Sequence, residues 1–180
     1  GEKDQRYHQL LLAKDQDGYQ NLSKLCSLGF IEGTYSGFPR IDKELLLQYH
    51  KGLIATSCCI GAEIPQTILT GDLEKAEKAL QWWLDLFGED FYIELQRQRG
   101  LDSIDHTGMS QEKVNQILLG FAKKYNIKVI ATNDAHYINE EDAKAHDIIL
   151  CVNTGKKMSD AGRFQFPSTD FYFKTQQEMN

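Results

Sequence analysis

Apolar residues follow two alternating patterns along the chain. Four short runs are apolar at most positions and predict β-strands: residues 9–13, 53–57, 91–95 and 128–132. The second and fourth runs are apolar at nearly every position, as expected of strands that are covered on both faces. Between the runs, apolar residues recur every three or four positions, which predicts amphipathic helices.

Residues that commonly cap helices mark the ends of the predicted helices. Four of them stand where an N-cap is expected: Asp42, Asp72, Ser110 and Asn139. Asn126 is expected to end the helix that Ser110 opens. A further helix is predicted before Gly29, with three side chains facing inward: Leu22, Leu25 and Cys26.

Strands that alternate with helices of this length predict an α/β fold built from parallel βα units, because the crossover connections are right-handed. Four such units are too few to close an eight-stranded barrel. The pattern therefore leaves two architectures open: an open α/β sheet, or a barrel that lacks some of its strands.

The composition is that of a globular protein. The chain has 180 residues, which suits one domain, and a net charge of −6. This charge argues against non-specific nucleic-acid binding by the whole surface, which depends on clustered Lys and Arg. DNA would be bound through metal ions or by another domain. No apolar run reaches about 18 residues and the N-terminus is charged, so we expect a cytoplasmic protein with no membrane partner.

In parallel α/β folds, functional residues gather at the carboxyl ends of the strands. Asp134 and His136 directly follow the fourth strand, and in extended backbone, side chains two residues apart point to the same side. A carboxylate and an imidazole at one spot suit zinc or manganese. The alternative is that Asp134 caps a turn and His136 packs locally.

Three other places offer candidate ligands. Cys58 and Cys59 follow the second strand; either one of them faces the site as a thiolate, or both fill space beneath a glycine turn. His8 precedes the first strand and is either structural or a ligand. Glu94 in the third strand either lines the same cavity or pairs with a neighbouring cation.

The remaining cysteines and histidines are expected to be structural or solvated, not functional. Cys26 and Cys151 lie in apolar helical patterns and are expected to be buried. His50 and His106 lie in polar surroundings and are expected to be solvated, whereas His146 is expected to pack within the last helix.

Taken in order, five segments resemble the polymerase-and-histidinol-phosphatase (PHP) domain at the start of bacterial DNA polymerase III alpha subunits: HQLLLAKDQDGYQNLSKL, PRIDKELLLQYHKGLIATSCCIGAEIPQ, GDLEKAEKALQWWLDLFGEDFYIELQ, KKYNIKVIATNDAHYINEEDAKAHDIILCVNTGKK and FYFKTQQEM. The resemblance covers nearly the whole chain, so it is more specific than any single motif.

The resemblance implies the C-terminal portion of a distorted seven-stranded PHP barrel over residues 1–155, and a connecting segment toward the polymerase domains over residues 156–180. It implies a cleft for up to three divalent metal ions, zinc or manganese. Four residues match family ligand positions: His8, Cys59, Asp134 and His136. It also implies a 3′–5′ exonuclease in an intact alpha subunit, with DNA and other replicase subunits as partners.

The sequence also departs from the family. It contains no HxH motif, which supplies metal ligands in the family, and the family's catalytic polymerase aspartates are expected to lie outside it. We therefore expect this chain alone to bind metal only partially and weakly, and to be inactive as a polymerase.

Two alternatives to a nuclease region remain open from the sequence. One is a non-catalytic scaffold or docking module for the polymerase and a proofreading subunit. The other is a free-standing phosphoesterase, against which the polymerase-like segment AHDIILCVNTGKK after His136 argues.

Overall fold

A computed structural model of the chain describes residues 6–99 and 108–179. Within those ranges the strands are β1 Leu11–Ala13, β2 Leu53–Thr56, β3 Phe91–Gln96 and β4 Lys128–Thr132. The α-helices there are α1 Gln16–Ile31, α2 Lys43–Tyr49, α3 Glu63–Leu69, α4 Leu73–Phe87, α5 Gln111–Tyr125, α6 Ala143–Thr154 and α7 Gln176–Met179. None of the helices in this part of the chain is long and apolar enough to cross a membrane.

The predicted α/β class is confirmed. The four strands form one sheet in the order β1-β2-β3-β4, and each lies where an apolar run predicted it, with β1 shorter than expected. β2 and β3 pair in parallel, with Ala55 opposite Phe91 and Thr56 opposite Tyr92. The connection between them carries α3 and α4, as expected of a crossover between parallel strands.

The first strand departs from the predicted parallel arrangement. β1 pairs with β2 antiparallel, and Ala13 lies opposite Leu53. The connection between these strands carries two helices, α1 and α2, and brings the chain back to the end of β1 that it left. The backbone N–H of Lys14 donates to the carbonyl of Gly52 at 2.8 Å, which closes this return. The alternation of strands and helices in the sequence does not show whether a connection returns antiparallel, as here, or crosses over to a parallel strand.

The chain packs into two compact units. The first comprises Gly1–Glu94 and Leu119–Val129, and the second comprises Leu95–Leu118 and Ile130–Asn180. The expected domain boundary at residue 155 stays a prediction.

In the first unit, α4 supplies much of the apolar core. Asp72 caps this helix by accepting a hydrogen bond from the N–H of Lys75 at 2.9 Å, as predicted. The predicted apolar stripe is buried at Ala76, Leu80, Trp83 and Phe87, whereas Leu73 is exposed. The Trp83 ring stacks against Phe87 at 5.8 Å between centroids.

Helix α1 lies against the return of the chain at Gly52. A Cβ atom on Gly18 would lie 1.8 Å from the Gly52 carbonyl oxygen, so only glycine fits there. The helix continues past Gly29 to Ile31, contrary to the predicted stop, because Gly29 lies on its buried face. Leu25 is buried as predicted, but Cys26, the next residue around the helix, is exposed, so that part of the prediction was wrong.

Helix α3 was not predicted. Its N-cap residue, Ala62, makes no side-chain capping hydrogen bond, and Pro65 lies within the first turn, where proline is tolerated. A seven-residue helix without a polar cap gives a weak signal in the sequence.

In the second unit, Asn133 connects three segments. Its side-chain amide donates to the carbonyls of Asp170 and Tyr172, at 2.6 and 2.9 Å. Its own carbonyl accepts from the side chain of Gln98 at 3.0 Å. Asp170 in turn accepts three hydrogen bonds from Arg99, one from the backbone and two from the guanidinium.

The predicted caps of the later helices are confirmed. The Ser110 hydroxyl accepts from the N–H of Lys113 at 3.1 Å, and Asn126, with φ +53°, follows the end of α5. Asn139 and Asp142 form a capping box before α6. Cys151 in α6 is buried, as expected.

We predict that Gly18→Ala lowers the free energy of unfolding by about 1–3 kcal/mol, because the added methyl group overlaps a backbone carbonyl and forces the backbone to shift. The matched control is Gly120→Ala in α5, where an added Cβ meets open space and alanine favours the helix. Urea unfolding monitored by circular dichroism measures both. A Gly18→Ala variant as stable as the wild type would contradict the close approach.

We predict that Asp170 makes the stability depend on pH. The hydrogen-bonded Arg99 guanidinium lowers the pKa of Asp170 below its ordinary value. A carboxyl group whose pKa is lowered by folding stabilises the protein above its unfolded pKa of about 3.9, and this stabilisation is lost as the pH falls through the folded pKa. Asp170→Asn is therefore expected to lower the free energy of unfolding by about 1–3 kcal/mol at neutral pH.

The measurement for Asp170 is urea unfolding between about pH 7 and pH 2, where the variant is expected to show a flatter acid limb. Glu74→Gln serves as the control, because Glu74 forms an exposed ion pair with Lys78 on α4. Identical acid limbs in the wild type and Asp170→Asn would show that Asp170 does not carry this dependence.

Candidate metal centre

His8 and Cys59 lie in contact within the first unit, although 51 positions separate them. The backbone N–H of His8 donates to the carbonyl of Gly61 at 3.0 Å, in a bridge between His8 and Ala62. The His8 Nδ1 atom lies 3.3 Å from the Cys59 sulfur. Two of the four predicted ligand residues are therefore neighbours.

The antiparallel pairing of β1 explains this contact. His8 precedes β1, so parallel strands would place it at the amino end of β2, away from Cys59. Because β1 runs antiparallel to β2, its amino end lies beside the carboxyl end of β2, where Cys59 follows. The side chain of Gln9 also donates to the carbonyl of Thr56, the last residue of β2, at 2.9 Å.

Gly61 sets the distance between the His8 ring and the backbone. A Cβ atom on Gly61 would lie 3.0 Å from Nδ1 of His8 and 3.3 Å from its Cγ. This is tighter than ordinary van der Waals contact, so an alanine would displace the imidazole. The sequence indicates the glycine turn but not its long-range contact with His8.

The two adjacent cysteines do not follow the alternation of an extended strand. β2 ends at Thr56, and Cys58 has a left-handed backbone with φ +55°. The N–H of Cys58 donates to the Thr56 hydroxyl at 3.0 Å, which fixes the turn. A hydrogen bond with the Cys59 side chain, together with burial, raises the pKa of Cys58.

Glu94 belongs to a buried polar network at the same end of β2. Its side chain is buried and accepts a hydrogen bond from the Thr56 hydroxyl at 2.6 Å. The N–H of Glu94 donates to the Ser57 hydroxyl at 2.8 Å. Glu94 thus holds the carboxyl end of β2 against β3, and its role in lining a metal cavity stays a prediction.

Asp134 and His136 form a second pair, in the second unit. Asp134 has φ +48°, so its backbone is left-handed and the alternation argument for its side chain does not apply. The His136 Nδ1 atom lies 2.7 Å from the Asp134 carbonyl oxygen. Because a carbonyl only accepts, this contact places the proton on Nδ1 and leaves the lone pair on Nε2.

His136 is exposed but contacts several aromatic rings. Its ring meets Phe166 edge-on at 4.7 Å, and the ring of His146 meets the same Phe166 edge-on at 4.8 Å. The packing role expected for His146 is confirmed. His50 is not simply solvated as expected, because it is half-buried and meets Phe87 edge-on at 6.0 Å. His106 lies outside the described residues.

Across residues 6–99 and 108–179, the structure shows no group of three His, Cys, Asp or Glu side chains arranged to hold a metal ion. It shows two pairs, His8 with Cys59 and His136 with the backbone of Asp134, each within one unit. That all four predicted ligands share one site stays a prediction.

Comparisons with known proteins agree on one family. The family model described as the PHP domain matches residues 1–98, which include His8, Cys59 and Glu94. Over 173 residues the chain is 46% identical to the DNA polymerase III subunit alpha of Thermus aquaticus, 45% to that of Borreliella burgdorferi and 43% to that of Deinococcus radiodurans.

Each of these alignments covers 96% of this chain but only 12–14% of the relative, so the chain spans about an eighth of the length of the proteins it matches. The family model covers more than half of the chain and contains the contact between His8 and Cys59. The chain therefore belongs to the PHP domain family.

Proposed function

We propose that this chain is the PHP region of a bacterial DNA polymerase III alpha subunit, and that it contributes to a divalent-metal site for phosphodiester hydrolysis, acting as a 3′–5′ exonuclease in the whole protein. Family membership and the names of the relatives support this proposal. The observation that carries it is the contact between His8 and Cys59 at the carboxyl end of β2.

The distance between these two side chains fits joint coordination of zinc. Zinc binds a thiolate sulfur at about 2.3 Å and an imidazole nitrogen at about 2.0 Å in tetrahedral geometry, which places the two donor atoms about 3.5 Å apart. The observed separation of 3.3 Å differs from this value by a few tenths of an ångström. This separation, which is also that of a hydrogen bond, supports the proposal that the two side chains hold one ion, and a nitrogen and a sulfur donor favour zinc over manganese.

The second pair offers a complementary donor set. A histidine that binds metal through Nε2 usually donates its Nδ1–H to a carbonyl or carboxylate, which fixes the ring. His136 has this arrangement toward the carbonyl of Asp134. We propose that Nε2 of His136 and the carboxylate of Asp134 are metal ligands, as the family resemblance implies.

A divalent ion held by these residues would lower the pKa of a coordinated water and neutralise charge on the scissile phosphate. The chain supplies the arrangement of donors. The backbone hydrogen bond from His8 to Gly61 and the absence of a Gly61 side chain leave the imidazole in place beside Cys59. Cys59 would hold the ion as a thiolate, with its proton released to solvent. The bond from Thr56 to Glu94 keeps the strand ends beneath the site in place.

DNA and other replicase subunits are the proposed partners of the whole protein, in the cytoplasm. Each pair supplies only two donors, which leaves the coordination of a divalent ion incomplete, so we expect the isolated chain to bind metal weakly. The alternative function, a scaffold that needs no metal, is distinguished from the proposal by the measurement that follows.

We predict that the chain binds zinc, and that Cys59→Ser and His8→Ala each weaken the affinity by at least about tenfold, because each removes a donor from the pair. Competition with a chromophoric zinc chelator measures the affinity. Cys26→Ser is the matched control, since Cys26 is an exposed thiol in the same unit. Zinc affinity that is unchanged in Cys59→Ser, or lost equally in Cys26→Ser, would contradict the proposed ligands.

We further predict that Gly61→Ala weakens zinc binding by about 10- to 100-fold without removing a donor, because the new methyl group displaces the His8 ring. Gly120→Ala, where an added Cβ meets open space, is expected to bind zinc like the wild type. Wild-type affinity in a folded Gly61→Ala variant would show that the position of His8 does not matter for binding.

A further inference from the structure

Two thiol groups lie side by side at the turn after β2. Adjacent side chains of an extended strand point to opposite faces of a sheet, which keeps neighbouring cysteines apart. Cys58 instead has left-handed backbone, with φ +55°, and its side chain shares a hydrogen bond with the side chain of Cys59. The turn therefore brings the two sulfur atoms to the same side of the chain and into contact.

Backbone hydrogen bonds hold this turn at its start and at its end. The N–H of Cys58 donates to the Thr56 hydroxyl at 3.0 Å, and that hydroxyl donates to the buried Glu94 carboxylate at 2.6 Å. The N–H of Ala62 donates to the carbonyl of Cys59 at 3.0 Å. Both cysteines are in the thiol form, so the contact is between two groups that can still react.

The proposed metal site uses only one of these thiols. Cys59 is buried, with its sulfur 3.3 Å from Nδ1 of His8. Cys58 is half-buried, so a small solute reaches the pair of sulfur atoms from the Cys58 side. The turn thus places a second and more accessible thiol in direct contact with a candidate metal ligand.

Adjacent cysteines can form a disulfide, but only a strained one. Consecutive Cα atoms are about 3.8 Å apart, whereas the Cα atoms of ordinary disulfides are about 4.4–6.8 Å apart. Strain makes a disulfide easier to reduce, and strained disulfides are the labile, regulatory ones. A bond between Cys58 and Cys59 is therefore one that an oxidant forms and a dithiol reverses.

We propose that Cys58 and Cys59 form a reversible redox switch, in which hydrogen peroxide joins the two sulfur atoms as a disulfide and Cys59 can no longer hold a metal ion beside His8. The loss of metal binding rests on the proposed function. The disulfide itself needs no metal, so the two parts of the proposal are measured separately.

The reaction balances with one molecule of hydrogen peroxide for each pair of thiols. One sulfur attacks a peroxide oxygen, the O–O bond breaks, and the products are a sulfenic acid and one water. The other thiol attacks the sulfenic sulfur, which forms the S–S bond and releases a second water. The thiols lose two electrons and the peroxide gains them. The disulfide lacks the thiolate that binds metal.

The test uses the chain with Cys26→Ser, because this substitution removes the exposed thiol that would link two chains. The chain is treated with hydrogen peroxide, the remaining thiols are alkylated, and the peptide that contains residues 58 and 59 is analysed by mass spectrometry. We expect this peptide to have lost two hydrogen atoms and to take up no alkylating reagent. Dithiothreitol is expected to return it to the dithiol form.

Zinc affinity is measured on the same samples, with zinc added after oxidation. We expect the oxidised chain to bind zinc at least about tenfold more weakly, as expected for Cys59→Ser, and to recover after reduction and removal of dithiothreitol. Cys58→Ser in the same background is the matched control. It is expected to form no disulfide at this turn and, before oxidation, to bind zinc like the chain with both thiols, because Cys58 is not a proposed ligand.

Circular dichroism checks that the oxidised chain and the variant are folded. The proposal is overturned if peroxide leaves both thiols alkylatable, if it produces only sulfinic acid or disulfides between chains, or if the disulfide forms and zinc affinity is unchanged. A disulfide that forms in a chain whose reduced state binds no zinc would contradict the proposed function and the metal-releasing part of the switch, but not the disulfide.

Discussion

The antiparallel pairing of β1 with β2 is the constraint on which the candidate centre depends. It places the residues before β1 beside the residues after β2, so that His8 meets Cys59 and Gly61. The pairing depends in turn on the connection through α1 and α2, which ends at Gly52. There α1 approaches the backbone so closely that Gly18 has no room for a side chain. A contact between two glycines, remote from the chemistry, thus positions a candidate metal ligand.

A residue in left-handed backbone lies in or beside each candidate ligand pair. Cys58 lies next to Cys59, and Asp134 lies two residues before His136. A non-glycine residue in this conformation is held there by its surroundings at some cost in free energy, and such residues concentrate at functional sites. The bond from Cys58 to the Thr56 hydroxyl supplies that support in the first unit. In each pair the turn, and not the strand itself, directs the donor atoms.

Local chemistry was enough to predict most elements of the fold. Helices begin after Asp72 and Asn139, as their capping side chains predict, and the four apolar runs form strands. Both signals are readable from the sequence because capping and strand formation depend on residues close together in the chain. The predicted direction of β1 is wrong. The direction depends on the packing of α1, at Gly18, against the turn at Gly52, which lies 34 residues later in the chain. Residue type and family resemblance identify Cys59 and His8 as candidate ligands, but their contact arises from the direction of β1, which the sequence does not reveal.

The segment between His8 and β1 is fixed at both ends to the same stretch of chain. His8 is bonded to Gly61, and Leu11 pairs with Ala55. One residue inserted between His8 and Leu11 would have to bulge outward or shift the register, and a shift by one turns every side chain to the opposite face. The length of this short spacer is therefore expected to be invariant. The turn at Ser36 and Gly37, where an added Cβ on Gly37 would meet open space, can instead accept insertions or deletions.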